Sequence, residues 1–155
     1  MVARDLMTRD VVAVNVDETV RQVAQKMLAT NYAALPVVDE HHRVVGLVSE
    51  SDVLAVLLPE YLDGIADLGF LPPSYEIPEA EIRDLDTATA KDIMRKAILR
   101  TVAPDEPAIE IARIMVREHI RRCPVVEDNK LVGIVSRRDL MDALVRPAIE
   151  AVGDE

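Results

Sequence analysis

Two short stretches carry the residue types in this chain that could do chemistry. One is Gly46-Leu47-Val48-Ser49-Glu50-Ser51-Asp52, and the other, 87 positions on, is Gly133-Ile134-Val135-Ser136-Arg137-Arg138-Asp139. In each, an apolar run ends in a polar turn. Apolar-periodic residues follow at once, Val53, Leu54, Leu57 and Leu58 in one and Leu140, Met141, Leu144 and Val145 in the other. That pattern predicts strand, turn and helix start. Such a junction turns backbone N–H groups and the positive end of a helix dipole outward, where an anion is stabilised. A carboxylate one turn in, Asp52 or Asp139, can accept hydrogen bonds from the two hydroxyls of a ribose. Ser-x-x-Asp is also close to a capping box, in which serine and acid satisfy N–H groups of the first turn. One instance reads as a cap; two at matching points of a repeat ask what positions them.

The positioning elements repeat as well. Ala3-Arg4-Asp5-Leu6-Met7 matches Ala90-Lys91-Asp92-Ile93-Met94, and Val16-Asp17-Glu18 answers Pro104-Asp105-Glu106. Ala24 and Met27 answer Ala112 and Met115, and Pro36-Val37-Val38 answers Pro124-Val125-Val126. The chain is a duplication. Each copy reads as short helix, strand, helix, strand, hairpin turn, strand, helix. Val20, Val23, Ala24, Met27 and Leu28 recur at helical spacing with Arg21, Gln22, Gln25 and Lys26 opposite. His41-His42-Arg43 and Asp128-Asn129-Lys130 fall at hairpin turns. One copy alone would bury little, so two copies packed sheet against sheet, related by a pseudo-twofold axis, are expected.

The boundaries predicted are a first repeat over 1–58, an acidic, proline-containing connector over 59–88, a second repeat over 89–147 and a tail over 148–155. Within the connector, Pro59 can start a helix in which Tyr61, Leu62, Ile65 and Leu68 share a face. Leu71-Pro72-Pro73-Ser74 breaks it, and Glu79 to Leu85 can form a further turn or two. The second copy's long helix carries Ala108, Ile109, Ile111, Ala112, Ile114, Met115 and Val116, an apolar surface wider than one buried stripe needs. Either this copy is buried more deeply or this face meets another chain, and from that surplus a homodimer is expected.

With 155 residues, half of them apolar, the chain can build a core. The net charge of −10 is concentrated in the connector, where residues 58–88 hold eight acidic groups against one basic. An acidic chain with 3% aromatics is a poor nucleic-acid binder, since that binding draws on cations meeting phosphates. No apolar run approaches the roughly 20 residues of a membrane span, and Met1-Val2-Ala3-Arg4-Asp5 does not open a signal peptide. A soluble, cytoplasmic protein is expected. The lone Cys123 excludes an internal disulfide and, between Arg122 and Pro124, reads as a small buried side chain. No Walker loop or nucleophile elbow occurs, and His41, His42, His119 and Cys123 do not fall at metal-ligand spacing. Neither catalysis nor a metal site is expected.

On these residues the chain resembles the tandem cystathionine β-synthase (CBS) domain pair, or Bateman module. Both copies carry its opening (Asp5-Leu6-Met7, Asp92-Ile93-Met94), its central Pro-Val-Val and its closing Gly-x-x-Ser-x-x-Asp, so that only the connector lies outside the resemblance. The resemblance implies an α/β (α+β) fold of two βαββα-type repeats. It also implies a regulatory module that binds AMP, ADP or ATP, or a related adenosyl compound such as S-adenosylmethionine or NAD, between the copies. No cofactor is required. By the same resemblance Ser49 and Asp52 serve one cleft and Ser136 and Asp139 the other, the aspartate on the ribose and the serine near phosphate. The polar first-strand position falls on Thr101 in the second copy and on Ala13 in the first.

Charge separates the two sets further. Arg137 and Arg138 stand at the second helix start, and the neighbouring run Arg121-Arg122-Cys123-Pro124 adds two more guanidinium groups, which bind phosphate oxygens by paired hydrogen bonds. Glu50 and Ser51 stand at the first start, where a carboxylate repels phosphate. The second set is therefore expected to hold the phosphorylated ligand, leaving the first empty, weaker or suited to a less charged one. With no effector domain evident, output through an unidentified partner protein is expected. The competing reading is an interaction module of the same fold that binds no nucleotide.

Overall fold

The computed structural model describes residues 1–96 and 100–152. Helix α1 (Ala3–Leu6) precedes strand β1 (Val14–Asn15), helix α2 (Val20–Thr30), strands β2 (Ala34–Val38) and β3 (Val44–Ser49), and helix α3 (Glu50–Val56). The connector holds one 3₁₀ turn, Glu60–Leu62, and helix α4 (Glu79–Thr87). Helices α5 (Ala90–Ile93) and α6 (Ala108–Glu118), strands β4 (Arg122–Glu127) and β5 (Lys130–Ser136), and helix α7 (Arg137–Leu140) follow. From α7 the chain continues through a π turn, Met141–Val145, into α8 (Arg146–Glu150). This is a mixed α+β fold. The last part of the predicted tail, 153–155, lies outside the described residues.

The chain divides into two compact units. The first-repeat unit comprises Val12–Val37 and Val45–Ala97; the second-repeat unit comprises Met1–Val11, Val38–Val44 and Ile98–Glu155. The units exchange the opening helices of the repeats. In the second-repeat unit, α1 is held by Ala3 N–H to Glu106 O and Arg4 N–H to Pro104 O, both at 2.8 Å. In the first-repeat unit, Ala90 of α5 donates to Glu18 O at 2.8 Å and Lys91 to Val16 O at 3.1 Å. The small side chains Ala3 and Ala90 are each fully buried in the core they join.

Local chemistry explains the elements. Thr19 caps α2 reciprocally with Gln22: Thr19 N–H donates to Gln22 Oε1 at 2.9 Å, and Gln22 N–H to Thr19 Oγ1 at 3.2 Å. Both long helices end on a left-handed residue, Asn31 (φ 56°) and His119 (φ 54°), at matching points of the repeat. Both hairpins turn where the sequence predicts, with positive φ at His42, Asp128 and Asn129. The first-repeat core is Val14, Val23, Met27, Leu35, Val37, Val48 and Ala90. The second gathers Ile111, Ile114, Met115, Cys123, Val125, Val135 and Leu140 around Ala3.

Two expectations are corrected. The helix predicted from Pro59 is a single 3₁₀ turn, because Gly64 takes φ 78° and turns the chain before Ile65 and Leu68 can join a helical face. Among the described residues the second copy's first strand is one residue: Val102 donates to Pro124 O at 3.0 Å and accepts from Val126 N–H at 2.9 Å. Proline at 104 limits its extension, so among the described residues the first sheet has order β1-β2-β3 and the second β4-β5. On α6 the apolar surplus is left uncovered rather than buried more deeply: Ile109 and Val116 are exposed.

Candidate functional site

The two Ser-x-x-Asp sets are built alike. Each serine ends a strand, and the next residue's N–H is held by the loop before the preceding strand: Glu50 N–H donates to Ala33 O at 2.9 Å and Arg137 N–H to Arg121 O at 3.0 Å. In the first set, Asp52 Oδ2 accepts from the N–H and the hydroxyl of Ser49, each at 2.8 Å. In the second, Asp139 Oδ2 accepts from Ser136 N–H at 2.7 Å and its hydroxyl at 2.8 Å, and Asp139 N–H donates back to Ser136 Oγ at 3.2 Å. Thr89 and Asp92 make the same arrangement at α5, at 2.9 and 3.1 Å. The motif is thus a helix cap that consumes one carboxylate oxygen and leaves the other to be assigned.

That second oxygen distinguishes the sets. Asp52 Oδ1 accepts from Arg95 Nε at 3.1 Å, and the Asp52 side chain is only 12% exposed. Among the described residues, Asp139 Oδ1 has no hydrogen-bond or ion-pair partner. The difference follows from the exchanged opening segments. Arg95, just after α5, makes both backbone hydrogen bonds with Leu47 of β3, at 3.0 and 2.9 Å, which lays its side chain beside Asp52. Its counterpart Thr8, just after α1, pairs identically with Ile134 of β5, at 2.9 and 3.0 Å, and has no guanidinium to offer. Nothing local in the sequence marks Arg95, because the position follows a repeat opening that folds onto the other copy.

The second-repeat candidates lie along one stretch of sheet. The β4–β5 register sets Arg122 opposite Ser136, Cys123 opposite Val135 and Pro124 opposite Ile134, while Val102, next to the exposed Thr101, bridges to Val125. The basic residues are not equally available. Arg137 Nε donates to Ile120 O at 2.9 Å, and Arg138 pairs loosely with Asp142 at 3.5 Å. Arg121 is exposed and Arg122 half-buried. The Cys123 side chain is fully buried, burial pushes its thiol up to about 11, and its backbone is paired with Val135. Pro124 is likewise buried. In the first-repeat unit, Ala13 offers only its carbonyl, which accepts from Lys26 Nζ at 2.9 Å.

One feature of the first-repeat unit was not anticipated. A groove of about 350 Å³ is lined by Met27, Leu28, Tyr32, Glu50, Val53 and Leu54, so that it opens between α2 and α3. Among the described residues no group of three His, Cys, Asp or Glu side chains converges as metal ligands, and no helix is long and apolar enough to cross a membrane.

Comparison with known proteins matches this geometry. The CBS domain of a CBS domain containing membrane protein from Sphaerobacter thermophilus is 36% identical, covering 93% of this chain and 88% of that one, with a TM-score of 0.72. The structure of CBSX2 in complex with AMP superposes with a TM-score of 0.70 at 23% identity, over 95% of this chain and 98% of the other. The CBS domain pair of protein MJ0100, solved with 5′-methylthioadenosine and S-adenosyl-L-methionine, gives a TM-score of 0.65 at 22% identity, over 94% and 96%. The family model for the CBS domain matches residues 3–59 and again 90–146, the two copies found in the sequence. With its exchanged opening helices and paired Ser-x-x-Asp junctions, the chain belongs to the CBS domain family as a tandem pair.

Proposed function

We propose that this chain is a regulatory sensor of adenosine nucleotides, of the AMP, ADP or ATP type, that acts on a partner protein rather than on a substrate. The observation that carries the reading is Asp139. One oxygen of its half-buried carboxylate is fixed by Ser136, which orients the other, and that other oxygen has no donor among the described residues. A ribose hydroxyl is a donor of the required kind, and Thr101, Arg121, Arg122, Arg137 and Arg138 supply polar and cationic groups for base and phosphate. Related pairs solved with AMP, and with S-adenosylmethionine and methylthioadenosine, support the ligand class. A ligand that favours one conformation shifts the population by its difference in affinity, and that shift is the signal.

The same reading includes a homodimer. Leu28, Leu54 and Leu58 of the first-repeat unit are exposed, and so are their repeat counterparts Val116, Met141 and Val145 in the second. Exposure of matching apolar positions in both units, with the α2–α3 groove among them, supports a second copy of the chain as their cover.

The second reading, an interaction module without nucleotide, draws on the capping boxes, since Thr89 and Asp92 show that this cap serves a helix with no ligand motif. Thermal melting with AMP, ADP, ATP, NAD and S-adenosylmethionine divides the two. A ligand at 100 times its dissociation constant adds about 2.7 kcal/mol, or roughly 5 to 10 °C at this size. A shift with one of them in the wild type, lost in Asp139→Ala, supports the sensor; no shift with any supports the interaction module.

A further inference from the structure

We infer that Arg95 is the residue that decides which of the two Ser-x-x-Asp sets is open to a ribose: it occupies Asp52 and thereby closes the first set, whereas Thr8 leaves Asp139 open. The inference rests on the reading that these aspartates take ribose hydroxyls, and it adds the internal competitor. Two vicinal hydroxyls need carboxylate acceptor sites that are not already filled. At Asp52 the Ser49 N–H and hydroxyl fill Oδ2, and the Arg95 guanidinium lies 3.1 Å from Oδ1. Arg95 leaves at most one acceptor site on this carboxylate, so the two hydroxyls of a ribose can both engage it only by displacing Arg95.

The clamp is fixed by backbone and not by chance contact of long side chains. Arg95 and Leu47 exchange both N–H to carbonyl bonds, and the two residues are one bridge of a sheet edge. The Asp52 side chain is nearly enclosed, while the Arg95 side chain is 59% exposed. The arginine can therefore swing into solvent without breaking the core, which makes the contact releasable. The second set offers an internal control. Thr8 and Ile134 make the identical bridge, so a side chain at position 8 stands in the same relation to Asp139. Glu50 at the start of α3 adds a carboxylate to the closed set, and the ligand admitted on release is accordingly an adenosyl compound without a phosphate.

The test is calorimetric titration of the full chain with adenosine, an uncharged probe, in an Asp139→Ala background that removes the other set. Arg95→Ala in that background is expected to bind adenosine about fivefold more tightly, the scale of one exposed ion pair. Arg95→Gln, which keeps most of the stem, should behave alike if truncation disturbs the fold. Raising the salt should tighten adenosine binding while Arg95 is present and have no effect once it is gone, because only the ion pair is screened. In the reverse experiment, Thr8→Arg in the wild type should weaken AMP binding by a similar factor. Equal adenosine affinity with and without Arg95, with no salt dependence, overturns the clamp whether or not the wild type binds AMP. Absence of AMP binding to the wild type counts against the sensor reading instead.

Discussion

The thioether of Met94 lies where the Cβ of any residue but glycine at position 46 would have to be: an added Cβ would stand 2.6 Å from its Sδ and 2.9 Å from its Cγ. Met7 lies across Gly133 in the same way. Each opening methionine is thus keyed into the strand that leads to a Ser-x-x-Asp set. Gly46→Ala and Gly133→Ala are expected to destabilise by about 1 to 3 kcal/mol through overpacking. Trimming the opposing methionine to alanine in the same chain should return part of the loss, a coupling that a double-mutant cycle in urea measures directly. Additive losses would mean that the glycines are needed for some other reason.

Caps and ligand sites can be separated by mutation, because the chain contains the same cap with and without the proposed role. Asp92→Ala removes the acceptor that holds the Thr89 N–H and hydroxyl and should cost about 1 kcal/mol. Its nucleotide-induced rise in melting temperature should stay at the wild-type value. Asp139→Ala should cost a similar amount and abolish that rise. If both variants keep the rise, Asp139 is a cap alone.

The duplication, both hairpins, the long helices and the two Ser-x-x-Asp junctions were legible because each depends on neighbours in sequence: periodicity, turn residues and caps are local. The exchange of α1 and α5 was not, since Ala3 and Ala90 carry no mark of which core buries them. From that one omission follows the missed Arg95, whose meaning depends on which strand its segment joins. Cys123 shows the opposite case. Its place between Arg122 and Pro124 predicts a small buried side chain, and Cys123 is fully buried, although which core takes it depends on the rest of the fold. The predicted helix after Pro59 failed on Gly64, whose backbone freedom outweighs the apolar spacing of Tyr61, Leu62, Ile65 and Leu68.

Acid should weaken the fold within a definite window. Among the described residues five carboxyls, Asp39 and Glu110 half-buried and the others exposed, are held below their usual range: Asp39 chiefly by the Arg43 N–H, Asp86 by the Arg21 guanidinium, Asp92 by the Thr89 N–H, Glu110 by Arg113 and Asp142 by Arg146. A lowered carboxyl binds fewer protons folded than unfolded, so its contribution is complete above the unfolded value of about 4 and disappears as pH falls through the folded one. The melting temperature should be level from pH 7 to about 5 and decline below about 4. Arg21 holds Asp86 through two hydrogen bonds, at 2.6 and 3.1 Å, joining α2 to α4, so Asp86→Asn should lower the neutral-pH value slightly and make the acid decline shallower. An unchanged decline in that variant would remove this pair from the account.

The exposed apolar positions bear on assembly. Leu28 is 82% exposed on α2 and Val116 is 74% exposed at the same repeat position on α6, each with more exposed apolar side chains on the helix that follows its sheet. Left in water, such side chains add nothing to the monomer; covered, each contributes roughly 1.5 to 3 kcal/mol. Sedimentation at micromolar concentration should therefore find a dimer. Leu28→Asp and Val116→Asp should each shift it toward monomer while leaving the melting curve of the monomer almost unchanged, because neither side chain belongs to a core. A wild-type chain that sediments as a monomer at these concentrations removes the dimer. A dimer untouched by both substitutions moves its interface off these helices.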